Sequence, residues 1–360
     1  MLISSKIKSK VRRNIKFPSH TEVNTMKTPV TRGFRSTNAF GILLAIASAA
    51  ALTAGDTRAQ QETPTSQVAA LRSAFGTHHA RAVHAKGIIL EGSFTPAPQA
   101  RSLSSSALFT GGVLPVTVRF SDFTGIPDIP DPVADANPRG LAVKFHLADG
   151  QEADLVTHSF NGFPVATSDE FAQLLRAISV SGPDAVKPTA LEQFFATHPI
   201  AKTFLTTQKP GPVSFGTLTY FGVNSFAFID ATKHRSFVRY RFVPTAGEQL
   251  LDAASLKSKG PNYLSDEITA RVARGAVGFD WYAQVADPAD VVDNPSVAWP
   301  ESRRLVKLGT LTVQRKVSDQ AKVDKSLLFL PARVPSGIEI ADPMIAVRSA
   351  SYPISFSARQ

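Results

Sequence analysis

The sequence predicts an α+β fold, an antiparallel eight-stranded β-barrel with helices packed outside it, and three observations predict it. About eight segments alternate apolar and polar residues with the period of a half-buried strand. Most connections between them are short enough for antiparallel pairing, which a parallel arrangement would not allow. Helical patterns are inserted between groups of strands instead of alternating with them one for one, and no period of about 20 to 50 residues repeats. With 360 residues and 43% hydrophobic content, the chain has one or two domains and a sizeable core.

In chain order, Gln67 to Phe75 carries Val68, Leu71 and Phe75 at helical spacing, and Gly87 to Phe94 is an extended run. Val116, Val118 and Phe120 alternate with Thr117, Arg119 and Ser121, as in a half-buried strand. Residues 122 to 137 are rich in Pro and Asp and read as loop. Leu141 to Leu147 is a strand turned at Asp149-Gly150 towards Ala153 to Ser159. Ser168 reads as the N-cap of a helix with Asp169 and Glu170 in its first turn. Glu192 to Thr206 reads as one helix ended by Pro210-Gly211-Pro212. Strands follow at Leu218 to Phe221, Phe226 to Asp230 and Ser236 to Val243, then a helix at Tyr263 to Arg274, then strands at Val277 to Val285 and Leu305 to Val313.

The net charge of +10 suggests a polyanion partner until its distribution is considered. The first 59 residues hold ten of the 39 Lys/Arg but only two of the 29 Asp/Glu, which leaves 29 against 27, about +2, for the rest. Nucleic acid is therefore not an expected partner. From Met26, the residues Lys27, Arg32 and Arg35 precede an apolar run, Ala39 to Ala54, and then Thr57-Arg58-Ala59, the order of a secretory signal. The run is short for a membrane span of about 20 residues. The expectation is an N-terminal extension and signal over 1–59, a functional domain over 60–360, export to the periplasm, and no stable membrane insertion once the signal is cleaved.

There is no cysteine, which excludes a disulfide framework, a cysteine nucleophile and thiolate-held metals. The eight histidines, His20, His78, His79, His84, His146, His158, His198 and His234, fit no zinc spacing, and no Gly-x-Ser-x-Gly motif supports a hydrolase.

A set of ordered motifs carries the functional signal. Arg81-Ala-Val83-His84-Ala-Lys86-Gly87 is followed by Val118-Arg119-Phe120-Ser121, Asn137-Pro138-Arg139-Gly140-Leu-Ala-Val-Lys144-Phe145 and Asp154-Leu155-Val156. Further on come Trp281-Tyr282-Ala-Gln284-Val285, Ala298-Trp299-Pro300-Glu301, Leu308-Gly309, Pro335-Ser-Gly337-Ile338-Glu339 and Asp342-Pro-Met344-Ile-Ala-Val-Arg348-Ser-Ala-Ser-Tyr352-Pro353. In order and spacing these resemble the haem catalases, over roughly Arg81 to Pro353. The resemblance implies haem b as cofactor, with Tyr352 as the iron ligand and Arg348, one helical turn earlier, stabilising its phenolate. It implies His84 as the acid/base for peroxide, with Ser121 fixing its tautomer. Arg81, Arg119 and Arg348 are expected near the haem propionates. Phe120 and Phe171 are expected to pack on the porphyrin, and Val83 to narrow the distal pocket.

Three departures qualify the resemblance. Eight residues follow Tyr352, and neither the family's post-tyrosine helices nor its long N-terminal arm is expected. The tyrosine segment also lacks the family's usual Asp-Thr and the basic residues after it. The family's distal asparagine falls at His158 without a gap, or at Asn161 with one. Together they resemble the short, exported catalase-related peroxidases. The expected activity is reduction of hydrogen peroxide or organic hydroperoxides by small electron donors, with weak catalase activity, in a monomer or small homo-oligomer. A haem-dependent hydroperoxide isomerase of the allene oxide synthase type and a non-catalytic haem-binding protein are the alternatives.

Overall fold

In a computed structural model of the chain, which describes residues 62–360, nine strands form one antiparallel sheet. The strands are β1 (Gly87–Pro96), β2 (Leu114–Ser121), β3 (Gly140–His146), β4 (Glu152–His158), β5 (Tyr220–Ile229), β6 (Arg235–Pro244), β7 (Val277–Val285), β8 (Leu305–Lys316) and β9 (Ile338–Ile340). The order β4-β3-β2-β1-β8-β7-β6-β5 closes on itself where His158 of β4 meets Phe221 of β5, and β9 adds to the edge of β5. The result is a closed eight-stranded antiparallel barrel, as the alternation predicted. Leu218–Phe221 and Phe226–Asp230, read as two strands, are one strand with a register shift between Gly222 and Phe226. The signal and the boundary at residue 59 lie outside the described residues.

The barrel interior is filled by large aromatic side chains pointing inward from β1, β3, β6 and β7. Trp281 is fully buried, stacked on Phe242 at 5.5 Å and edge-on to Phe94 at 5.4 Å. Phe120 belongs to this interior: it is 0% exposed and stacks on Phe215 with ring centroids 5.3 Å apart. This corrects its expected contact with the porphyrin. Successive strand side chains point to opposite faces, so with Arg119 and Ser121 facing outward, Phe120 between them faces the interior.

Among the described residues the helices are α1 (Pro64–Phe75), α2 (Ala107–Thr110), α3 (Ser168–Ser179), α4 (Ala190–Thr197), α5 (Pro199–Thr206), α6 (Ala253–Lys257), α7 (Tyr263–Arg274), α8 (Gln320–Ser326) and α9 (Met344–Ser357). None is long and apolar enough to cross a membrane. The expected helix over 192–206 is two, because Pro199 excludes its preceding residue from the α region and His198 sits at φ −126°, ψ 72°. The N-cap of α3 is Thr167, not Ser168: its hydroxyl accepts from the Glu170 N–H while Glu170 reaches back to the Thr167 N–H, a reciprocal pair that Ser168 is misplaced to make. Helices α1, α3 and α9 pack on one another and cover the outer face of β2, β3 and β4.

Phe120→Ala should lower unfolding stability by about 3–5 kcal/mol, the cost of an aromatic-sized hole in a packed core, measured by denaturant titration. The absorption spectrum of the haem-loaded variant should match that of the wild type; a shifted spectrum would return Phe120 to the cofactor site.

Candidate active site

Register builds the site. Ser121 pairs with Gly140 and Gly140 with His158, so three residues in line across β2, β3 and β4 share the outer face. The next outward row is Arg119, Ala142 and Val156. Between this face and α1, α3 and α9 lies a cavity of about 1390 Å³, counting the space open at its mouth, and both rows line it. Val83, Phe171, Arg348 and Tyr352 line it too; of the sequence-predicted site residues Phe120 is absent from it, and so is Asn161, the alternative to His158, whose amide donates to Glu301 Oε1 at 3.0 Å.

His84 enters from the loop before β1 with φ +55°, a left-handed conformation uncommon for a residue with a side chain. Several bonds hold it there. Its N–H donates to the Phe123 carbonyl at 2.8 Å, and its Nδ1 lies 3.0 Å from Ser121 Oγ. Arg119 donates to the His84 carbonyl at 2.9 Å and to the Ala85 carbonyl at 3.0 Å. The imidazole meets Phe123 edge-on at 5.6 Å. Two glycines make room for this arrangement. A Cβ on Gly140 would lie 2.4 Å from Ser121 Oγ and 2.8 Å from His84 Nδ1, and one on Gly87 would lie 2.7 Å from the Arg119 guanidinium.

Burial, and after it the charge of Arg119, pushes the His84 pKa down to about 3, with hydrogen bonding to the Asp122 backbone opposing them. The imidazole is neutral near neutral pH and free to accept a proton. His158 is also pushed to about 3, by burial first and then by His84 and Arg348.

Arg81 and Arg119 converge on one carboxylate, Asp324 of α8, each at 3.1 Å from its Oδ1. Arg359, which the sequence reading missed, joins them at 3.6 Å and donates to the Asp324 and Leu327 carbonyls. All three arginines line the cavity, and Nε of Arg81 is buried without a partner. Burial and then Arg81 lower the Arg119 pKa to about 9, which leaves it a cation at neutral pH. Arg348 stands apart from this cluster, a correction to its expected place at the propionates. It donates to the Tyr352 phenol oxygen at 3.2 Å and to Asn224 Oδ1, and Asn224 in turn donates to the buried Asp342 at 2.8 Å. The spacing of four on α9 puts Arg348 and Tyr352 on one face, as expected.

Residues 77–359 match the family described as Catalase. The chain is 34% identical over 302 residues to a catalase-related peroxidase of Mycolicibacterium paratuberculosis, covering 82% of this chain and 95% of the relative. It is 32% identical over 303 residues to a catalase-related peroxidase of Synechococcus elongatus, covering 82% and 88%. Catalase A of Saccharomyces cerevisiae superposes with a TM-score of 0.68 at 18% identity, over 78% of this chain and 61% of that one, and a fungal catalase does so with 0.68 at 19%, over 78% and 59%. The barrel and the site on its outer face thus define a protein of the catalase family, and the chain belongs to it. Within that family it is an oxidoreductase of the peroxidase kind, similar over most of its length to catalase-related peroxidases.

Catalases are haem proteins, and the residues present fit a haem. A largely apolar cleft suits a macrocycle. Three guanidiniums against one carboxylate leave two positive charges for two propionates. The phenol of Tyr352 and the imidazole of His84 reach the same cavity from α9 and from the loop before β1. Among the described residues there is no group of three or more His, Cys, Asp or Glu side chains that could hold a metal ion.

Tyr352→Phe should abolish or shift the ferric haem bands of the purified protein, and unchanged bands would remove Tyr352 as the ligand. In the apoprotein, unfolding releases two histidines from pKa about 3 to the ordinary ~6.5. The unfolded chain therefore binds more protons between these values, and stability falls as pH drops through that window, by up to about 1.4 kcal/mol per unit for each histidine. His158→Gln should flatten this acid limb by about one histidine's share, read from melting temperatures between pH 7 and 4; an identical limb would show that His158 is not held neutral.

Proposed function

We propose that the protein is a haem-dependent peroxidase that reduces hydrogen peroxide or an organic hydroperoxide with small one-electron donors, and that its catalase activity is weak. One observation carries the reading: a neutral His84 braced by Ser121, and a Tyr352 phenol braced by Arg348, line one cavity beside a cluster of arginines.

Haem b held through Tyr352 supplies the iron at which the O–O bond is cleaved and the oxidising equivalents are stored. The chain's own residues do the rest. Arg81, Arg119 and Arg359 hold the propionates, and Val83 and Phe171 pack against the macrocycle. Arg348 donates a hydrogen bond to the phenol oxygen and so holds it in place. With Nδ1 held at Ser121, His84 presents Nε2 to take the proton of the peroxide and return it to the leaving oxygen. Overall the peroxide takes up two electrons and two protons, and two small donors give one electron each.

Dismutation needs more than cleavage. A second hydrogen peroxide must be oriented as the reductant, with acceptors for both of its protons. His158 Nδ1 is already occupied by the Phe160 N–H, which leaves only His84 to accept a proton on that side. One-electron donors need no such orientation. The leader pattern supports export, and we place the activity in the periplasm.

In the haem-loaded protein, dye oxidation should outpace oxygen evolution from hydrogen peroxide, and dismutation faster than dye turnover would sink the reading. His84→Ala should keep the cofactor and lose about 10²–10⁴-fold in peroxide cleavage, the range for a positioned acid/base; a twofold loss would exclude that role.

A further inference from the structure

We propose that Asp324 is an internal rival for the cofactor's carboxylates: it holds the arginine cluster together in the cofactor-free chain and, by the same pairing, loosens the grip of Arg81, Arg119 and Arg359 on a porphyrin dicarboxylate. The inference rests on the haem-dependent reading above and goes beyond it, to what sets the strength of cofactor binding. Arg81 and Arg119 each place a guanidinium nitrogen 3.1 Å from Asp324 Oδ1, and Arg359 lies 3.6 Å from Oδ2. Among the described residues no other carboxylate pairs with any of the three.

A carboxylate in this place either braces the arginines, which aids an anionic ligand, or occupies their donors, which opposes one. The hydrogen bonds decide for the second. Arg119 is already braced by the His84 and Ala85 carbonyls at 2.9 and 3.0 Å, Arg81 by the Leu327 carbonyl at 2.9 Å, and Arg359 by the Leu327 carbonyl at 2.7 Å and the backbone carbonyl of Asp324. A side-chain change at 324 leaves all of these acceptors in place. What the carboxylate adds is charge: burial and then Arg81 lower the Arg119 pKa to about 9 and that of Arg359 to about 10, and Asp324 opposes both shifts. Burial pushes the pKa of Asp324 itself up, but Arg119 and Arg81 outweigh it and hold the group below the ordinary carboxylate range, so it is an anion at neutral pH.

Asp324 is also placed to yield. Its side chain is 36% exposed, against 4% to 14% for the three arginines, so the carboxylate can turn to water while the guanidiniums stay buried. Helix α8 has no buried residue of its own. It is pinned by Gln320, which accepts from the Ile89 N–H at 2.8 Å and donates to the Ile89 carbonyl at 2.7 Å, and by the buried Leu327 and Phe329 that follow it. The helix is thus fixed at both ends while one side chain gives way. Carboxylates brought to the same guanidiniums compete for donors that Asp324 occupies and repel its charge. Coupling between two ligands of one site is reciprocal, so a dicarboxylate that weakens the pairing of Asp324 is weakened by Asp324 to the same extent.

Metal-free protoporphyrin IX separates this effect from iron ligation and from turnover. The full-length apoprotein carrying Asp324→Asn, having lost the counter-charge, should melt about 2 °C or more below wild type, yet bind protoporphyrin IX about fivefold or more tighter by fluorescence titration. Protoporphyrin IX dimethyl ester, whose carboxylates are masked, should bind both proteins alike. Equal or weaker binding of the diacid by the variant would make Asp324 a brace and overturn the proposal, as would an equal gain for the ester or an unchanged melting temperature. If the variant is too unstable without cofactor, haem loss to an excess of a scavenging globin is followed in the haem-loaded proteins: it should be about fivefold or more slower in Asp324→Asn, and equal or faster loss would overturn the proposal. A wild type that binds the diacid no better than the ester would instead overturn the arginine cradle on which the functional reading rests.

Discussion

Arg119 ties the two halves of the site together. Its Nε donates to Asp324, which also holds Arg81 and lies beside Arg359, while its terminal nitrogens clamp the carbonyls of His84 and Ala85. A residue with a side chain held at positive φ costs on the order of 1–2 kcal/mol, and His84 keeps that conformation only because its surroundings over-determine it. The clamp from Arg119, the Phe123 carbonyl, the Ser121 hydroxyl and the missing side chains at Gly87 and Gly140 do so together. One buried guanidinium, 4% exposed, thus fixes the backbone at His84, the proposed acid/base, and takes part in the arginine cluster on Asp324. Movement of either would be felt by the other.

The barrel has a different task from the one it has in folds that bind ligands inside. Its interior is closed by Trp281, Phe94, Phe145, Phe242 and Phe120, and contributes stability. The outward row of the same strands lines the cavity. Alternation along β2 makes the division: the odd positions 119 and 121 face the cavity and the even positions 118 and 120 belong to the core. Helices α1, α3 and α9 then supply the far wall of the cavity, and α9 delivers Tyr352.

The barrel, the helix at 263–274 and the Arg348–Tyr352 pairing were legible in the sequence because each is a local periodicity. The error at Phe120 came from a family resemblance outweighing the strand period, which already set Phe120 against its neighbours. The break at Pro199 was also written in the chain, since proline restricts the residue before it. Arg359 had a weaker signal, a basic residue seven positions beyond Tyr352 and just past the end of α9. Asp324 and Asn224 had none. Their roles depend on packing across 205 residues to Arg119 and 124 residues to Arg348, and no window of sequence contains such a contact. Gly140 was seen within a motif, but its reason, the niche for an imidazole, exists only once three strands are in register.

The charge pattern around the cavity explains how anion binding and proton transfer are coupled. After burial, the charge of Arg119 is the largest influence lowering the His84 pKa, and Arg348 and Arg81 act in the same direction. Two carboxylates brought against Arg81 and Arg119 would offset part of that field, and the pKa of His84 would rise from its low value towards neutrality as they bind. General acid/base catalysis is most effective when the pKa lies near the working pH, so the shift is in the useful direction. Burial remains the larger cause and is unaffected by that neutralisation. The arginines proposed to hold the cofactor's carboxylates therefore add to burial in lowering the proton affinity of His84, and pairing their charges would remove that added part alone.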